Sequence, residues 1–344
     1  MGIYQLKTCK EEDKASLIDF LRNHWQEDHV FVKSDALFRF QHYNSEKKEY
    51  SFILGWNILT NQIDGVIGLI PVSQFDPALA EYNDTWGGIW KVRPDVKNEE
   101  IGTLGMRLFG EFNAFASHGS LGMSKVATKL HAMMQYNSCV LSQYYVLNPV
   151  FTDFRIAYIP LKKDLDVKIS VKSDFTIKNI KDIQDIREGQ VSGVYYPMKS
   201  LTYLRNRFQN HPIYDYEFWG IYDLSKTLRA IFVTRTTLVN SNRVIRIVDV
   251  FGSLEGLGSL KRPLEDLCIE EGAEYIDIMN HGISESVFEE LGFEHLDVEG
   301  ATVIPNYFEP FIQQNITIYC AYRGHANYVM FKGDSDQDRP SIIK

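Results

Sequence analysis

Cysteine is scarce in this sequence. The four thiols, Cys9, Cys139, Cys268 and Cys320, are far apart and form no CxxC pair. That spacing excludes a disulfide framework and a zinc knuckle, and reads as free thiols in a reducing compartment. Long apolar runs are also missing: none approaches the roughly 20 residues of a membrane-spanning helix. No basic-then-apolar leader opens the chain. The expectation is a cytoplasmic protein with no membrane span. Basic residues are outnumbered, 36 Lys and Arg against 45 Asp and Glu, and the net charge of −9 disfavours nucleic acid or an anionic membrane face as partner. A small basic pocket for a cofactor remains compatible with that balance. The sequence also lacks a metalloprotease helix, a P-loop, a nucleophile elbow and a dinucleotide fingerprint in its strand-and-acid context.

What is present is a chain of 344 residues, long enough for two domains that each bury a core. Apolar content of 44% with 24% charged residues is that of a globular protein. The 21 Phe and 19 Tyr read mainly as core, with stacking pockets as the sharper use of some.

One order of elements occurs twice. Ile3–Lys7 alternates as a strand, and Thr8 with Glu11 forms a capping box before a helical stripe of Leu17, Ile18, Phe20 and Leu21. Phe175–Ile180 opens the second half as a strand, with Ile183 and Ile186 starting a helical stripe. Each opening leads to an aromatic-rich helical segment and a hairpin. The first hairpin pairs 50–59 with 66–71 across Asn61–Gly65; the second pairs 217–222 with 228–236. Then come a strand, a glycine turn, a helix, a strand and a last helix. The charged, aperiodic stretch near 160–172 sets the division at 1–165 and 166–344.

The glycine turns carry the chemistry. Gly88–Arg93 runs into Ile101-Gly-Thr-Leu-Gly105, and Val244–Val250 runs into Gly252-Ser-Leu-Glu-Gly256-Leu-Gly258. A strand feeding a helix through such a turn aims the first helical N–H groups at an anion.

This order resembles the GNAT acyltransferase fold, taken twice in tandem over nearly the whole chain. The resemblance implies an α/β (α+β) architecture: two GNAT-like domains, each a mixed, mostly antiparallel twisted sheet flanked by helices. In that family a Q/R-x-x-G-x-G/A loop holds the pyrophosphate of coenzyme A. Here Glu99-Glu-Ile-Gly102-Thr-Leu104 keeps one glycine, with Glu at the leading position; Ser253-Leu-Glu-Gly256-Leu-Gly258 keeps both, with Ser leading. The resemblance implies acetyl-CoA or another acyl-CoA as cofactor. It would be held by Trp90, Lys91, Val92 and Arg93 of the strand and by Gly102, Thr103, Leu104 and Gly105 after it. The family's closing helix ends in Gly-Phe, as Ser286–Phe293 does, but Phe288 stands where a tyrosine acid is usual. The first half has His131 there, and Gln135 in place of the glycine. Catalysis is therefore expected in the first copy, because Phe288 has no proton to give.

Acyl transfer from a thioester to an amine requires deprotonation of the amine, polarisation of the carbonyl and protonation of the leaving sulfur. His131 is the candidate acid, or else a histidine bonded on a helix face. Asp84 is the candidate base or amine anchor, or else a turn carboxylate; Glu81 is the weaker alternative. Segments 84–92, 305–311 and 331–340 are similar to tandem GNAT-like proteins of bacterial surface-polysaccharide pathways. That similarity implies an amino-sugar acceptor on a nucleotide or lipid carrier. Asn306, Tyr307 and Glu309 would stack on and bond a sugar, or plug a gap between domains. Asp334, Asp336 and Asp338 would bond hydroxyls or an ammonium, or form an exposed tail; a calcium loop is disfavoured and no metal is assigned. Lys199, Arg205 and Arg207 would meet a diphosphate, or form a solvated face. The rival readings are a Fem-type aminoacyl transferase and a GNAT-like sugar-binding protein without activity.

Overall fold

A computed structural model describes residues 2–160, 173–335 and 337–338. The stretch 161–172, where the division between halves was expected, and Asp336 lie outside the described residues. The first half runs β1 (Tyr4–Lys10), α1 (Lys14–His24), α2 (Val30–Lys33), α3 (Asp35–His42), β2 (Tyr43–Asn44), β3 (Glu49–Asn57) and β4 (Gln62–Pro71). It continues with β5 (Asp84–Val92), α4 (Ile101–Gly110), β6 (Ser117–Met123), α5 (Lys125–Met133), β7 (Asn137–Val140) and β8 (Ser142–Leu147). The second half has β9 (Thr176–Ile180), α6 (Leu201–Leu204), β10 (Glu217–Tyr222), β11 (Leu228–Val239), β12 (Asn242–Gly252), α7 (Lys261–Glu271) and β13 (Ala273–His281). It closes with α8 (Glu285–Leu291), β14 (Glu294–His295), β15 (Tyr307–Phe308), β16 (Phe311–Ile312), β17 (Tyr319–Arg323) and β18 (Met330–Phe331).

The duplicated α/β order is therefore present, as two large mixed sheets flanked by helices. One runs β1-β3-β4-β5-β6-β17-β7, the other β9-β10-β11-β12-β13-β8-β14. In each, a single parallel pair (β5/β6 and β12/β13) sits among antiparallel neighbours. The sheets do not follow a cut at residue 165. β17 comes from the end of the chain and lies between β6 and β7, with Cys320 opposite Cys139. β8 comes from the first half and lies between β13 and β14. Each half thus gives an interior strand to the other's sheet. Tyr144 of β8 stacks on Phe288 of α8 at 4.2 Å, and Phe288 is fully buried in the core.

Local expectations are adjusted where sheet pairing outcompetes helix propensity. β1 continues through Cys9, which pairs with Tyr50, so Thr8 is a strand residue and no cap. The backbone N–H of Lys10 instead donates to Asp13 at 3.2 Å, one turn later. α1 still buries Leu17, Phe20 and Leu21, a stripe at helical spacing. The stripe expected from Ile183 shrinks to a single 3-10 turn, Ile183–Asp185. The first hairpin turns at residues 58–61, because Ile63 already pairs with Trp56. Gly55 and Gly65 have a packing reason: a β-carbon at either would come within about 3 Å of Leu104, so α4 lies close on the sheet only over bare backbone.

Residues 1–160 and 173–344 produced separately should each lack an interior strand and show no cooperative thermal transition by circular dichroism. Co-production should restore one. A sharp transition from 1–160 alone would refute the exchange.

Candidate active site

Parallel strands β5 and β6 pair only at Asp84↔Ser117, Thr85↔His118 and Trp86↔Gly119, and diverge beyond. At the divergence β5 carries a bulge: Gly88 and Ile89 together oppose Gly68 of β4. A bulge beside a gap re-aims side chains and backbone groups towards it. Trp86 accordingly faces Tyr328 of the C-terminal segment, whereas Trp90 faces α4 and donates to the Gly105 carbonyl at 3.2 Å. The second copy repeats the device, with a register shift at Val248 and β12/β13 pairing that ends at Ile247↔Ile278. There the wedge is filled. β18 pairs with Asn280 and His281 of β13, and the Gly333 N–H donates to the Val248 carbonyl at 2.7 Å. A thioester arm has no place in that copy. In the first copy the same segment forms no strand among the described residues: Ser335 donates to the Gly87 carbonyl at the base, and Gln337 lies on Gly122 of β6, three residues past the last pair. Among the described residues no strand pairs with Gly88–Val92 on the β6 side.

The glycine turn above β5 differs from its expected form. Gly102, Thr103, Leu104 and Gly105 lie inside α4, and the turn itself is 93–100. The Asn98 carboxamide oxygen accepts from the N–H groups of Glu100 (3.1 Å) and Ile101 (2.8 Å), so the helix start is already capped. The Glu100 carboxylate is close by, accepting from the Ile3 N–H at 2.8 Å, and adds repulsion for a diphosphate. Leu104 is fully buried and belongs to the core. Gly102 faces open space, Thr103 bonds back to the Glu100 carbonyl, and Val92 packs near Gly105. Arg93 is engaged by Asp64 at 3.2 Å and Asp95 at 2.6 Å, which leaves half-buried Lys91 and exposed Lys97 as the cations of this stretch without an ion pair among the described residues.

His131 is buried, and its Nδ1 donates to the Ala127 carbonyl at 2.8 Å. The proton therefore sits on Nδ1, and Nε2 is a bare acceptor with no partner among the described residues. Burial among Phe109, Tyr136, His118 and Trp90 lowers its pKa. A neutral imidazole is poorly suited to protonate a leaving thiolate. Asp84 bonds Ser117, with His325 at 3.4 Å, on the face turned to the C-terminal segment. The next residue, His118, points to the opposite face, stacks on Phe112 and bonds Tyr136 and Ser120. Strand alternation thus puts Asp84 and His131 on opposite faces, and they cannot act on one atom. Glu81 is exposed on the turn before β5.

A second polar cluster lies between the copies. Arg246 of β12 makes a two-pronged pair with Asp277 (3.1 and 2.7 Å) and donates to the carbonyls of Asn306 (2.9 Å) and Pro305 (3.1 Å). Gln143 of the exchanged β8 bonds the same carboxylate at 2.7 Å. Arg235 of β11 holds Asp338 (3.0 and 2.8 Å) and sits 3.9 Å from Glu309, which also accepts from Tyr214. Asp338 is buried, which raises its pKa, but Arg235 outweighs that and holds it at about 2. Asn306, Tyr307, Glu309 and Asp338 thus line one cavity of about 40 Å³, with Lys332 and Gln337. It adjoins a groove of about 750 Å³ that shares Tyr214, Arg235, Phe308 and Glu309. Asp334 is elsewhere, paired with Lys199 at 2.8 Å, and Lys199 also pairs with Asp249 at 2.7 Å. Lys199 and Arg207, expected to meet a diphosphate, instead fasten the C-terminal segment; Arg207 donates to the Ser335 carbonyl at 3.1 Å. Arg205 is half-buried beside Asn206. Sequence reasoning missed His118, Arg235, Arg246 and Lys332. A lone Arg within the apolar run Val244–Val250 was a legible signal of a buried charge; Lys332 had none.

No family model and no curated protein sequence matches this chain. Among solved structures, a GCN5-related N-acetyltransferase from Anabaena variabilis is similar, with TM-score 0.53 and 8% identity over 93% of this chain and 72% of that one. An Enterococcus faecalis protein of unknown function covers 94% and 72% at TM-score 0.48 and 10% identity. Saccharomyces cerevisiae N-myristoyltransferase with bound myristoyl-CoA covers 100% and 87% at TM-score 0.44 and 9% identity. At these identities the likeness defines the fold, which is GNAT-like, and the chemistry has to be argued from the site. No helix among the described residues is long and apolar enough to cross a membrane.

Asp277→Asn should cost about 3–5 kcal/mol in urea unfolding, since Arg246 would be left buried without its counter-charge. A loss below about 1 kcal/mol would show that the pair is solvated.

Proposed function

We propose that this protein is an acyl-CoA-dependent N-acyltransferase whose first copy takes the thioester arm in the β5/β6 wedge. One observation carries the reading: the two copies share the same bulged, divergent strand pair, and among the described residues a strand from the C-terminal segment pairs inside the second alone. Backbone groups of Gly88–Val92 are placed to bond an extended amide-bearing arm, much as an added strand would. The half-buried Lys91 is near enough in sequence to attract the cofactor's phosphates, which the capped start of α4 does not. Holding donor and amine in register supplies most of the rate gain.

The acceptor in this reading is an amino sugar of a surface-glycan pathway, on a nucleotide or lipid carrier, handled in the cytoplasm where acyl-CoA is available. It would occupy the groove beside Tyr214, Phe308 and Glu309, whose volume suits a ligand of that size. Gln337 supports this placement, because it lines the inner cavity and also lies on Gly122 of the donor wedge. The capped α4 and the filled second wedge favour one alternative, a GNAT-like sugar-binding protein without activity.

Titration calorimetry with acetyl-CoA and longer acyl-CoAs decides between them. One molecule bound per chain is expected, with binding lost in Gly88→Trp, which fills the first wedge. No heat with any acyl-CoA would remove the transferase reading. His131→Gln should leave the pH profile of turnover unchanged, and a displaced alkaline limb would restore His131 as the proton donor.

A further inference from the structure

Lys332 stands out among the buried charges. The residue is 2% exposed, and its Nζ makes no hydrogen bond or ion pair among the described residues, resting 4.7 Å from the centre of the Tyr307 ring. The other buried cations of this region are matched: Lys199 by Asp249 and Asp334, Arg235 by Asp338, Arg246 by Asp277. Lys332 lines the small cavity, and so does Asn306, whose Oδ1 is a buried atom without a partner among the described residues while its Nδ2 donates to the Ile316 carbonyl. A buried acceptor left bare calls for a donor from a ligand or a water. The cavity's 40 Å³ holds one group of that size, since a water occupies about 30 Å³.

We propose that this cavity seats the ammonium group of the acceptor and that Lys332 takes its proton. This rests on the transferase reading and names the group that activates the amine. The ammonium donates to Asn306 Oδ1 and to the Lys332 nitrogen, with Glu309 at the mouth and the Tyr307 ring as a cation-attracting wall. One N–H bond of the ammonium breaks as an Nζ–H bond of Lys332 forms, which frees the amine lone pair. That pair attacks the thioester carbonyl carbon, the C–S bond breaks, and the sulfur leaves with the second amine proton. An amide and a thiol result, with Lys332 holding the first proton until solvent removes it. The rest of the sugar lies in the larger groove.

The charge balance around Lys332 suits this task. Burial is the main force lowering its pKa, to about 7, and Arg246 adds to it. Asp338 and Asp277 oppose the shift, but each is already paired with an arginine, and Arg235 adds further repulsion. Tyr307, Tyr214 and Glu309 complete the groups facing the cavity. Near neutral pH the amine is therefore substantially in its free, proton-accepting form.

The test is calorimetric binding of D-glucosamine, with D-glucose as control, to the full chain and to Lys332→Met without coenzyme A. The ratio of wild-type to variant affinity cancels the sugar's own titration. That ratio should fall about tenfold per pH unit below about 7, as Lys332 gains charge, and level off above. A ligand-free measurement accompanies it. The lowered pKa means the unfolded chain binds the extra proton between about 7 and 10, so wild-type stability should rise with pH there relative to Lys332→Met. If Met does not fold, Lys332→Gln is used. Equal pH dependence in both proteins, glucose bound as tightly as glucosamine, or no glucosamine heat at millimolar concentration each overturns the inference. Acetyl-CoA binding on the same samples reports the donor wedge alone, so loss of either reading is seen separately.

Discussion

Everything here depends on one constraint: two adjacent parallel strands that part company must be stabilised along their free edges. In both copies the strand that flanks the parallel pair is contributed by the other half of the chain. β17 does this for β6, and β8 does it for β13. The exchange makes the two cores interdependent. It also brings the segment 328–335, with 337 and 338, into the space between the sheets, where its own backbone groups must find partners.

That segment makes two identical openings unequal. In the second copy it supplies a short strand and the Gly333 N–H, which satisfy the edge that the bulge at Val248 exposes. In the first, among the described residues, it makes side-chain contacts through Ser335 and Gln337 and adds no strand. The structural asymmetry between the copies therefore follows from hydrogen-bond accounting. Lys199 and Arg207, which resemble a phosphate site in the sequence, are consumed in fastening this segment. Burial raises the pKa of Asp249 to about 6 even with Lys199 beside it.

The same segment builds the polar cavity. Lys332, Gln337 and Asp338 reach it from one side, Arg235 and Arg246 from β11 and β12, and Asn306 to Glu309 from β15 and its flanking residues. Three arginine or lysine side chains and three carboxylates converge with nearly every charge matched. The exceptions are Lys332 and the Asn306 oxygen, and they face the same small space. A nearly closed network with two open valences is what a site for a hydrogen-bond donor requires.

Strand and helix order was legible in the sequence because burial periodicity is local, and Tyr50–Leu59, Glu217–Tyr222 or Leu17–Leu21 state their own faces. The duplicated architecture followed from that order. Asn306, Tyr307, Glu309 and Asp338 could be singled out by residue type and turn context. The tertiary structure alone decided that Asp84 and His131 lie on opposite faces, that Asn98 caps α4, and that β8 and β17 change places. These are contacts across distances such as 142 to 280 or 139 to 320, and no periodicity within a window records which edge a strand will join. The sequence determines which faces must be buried; only folding determines what buries them.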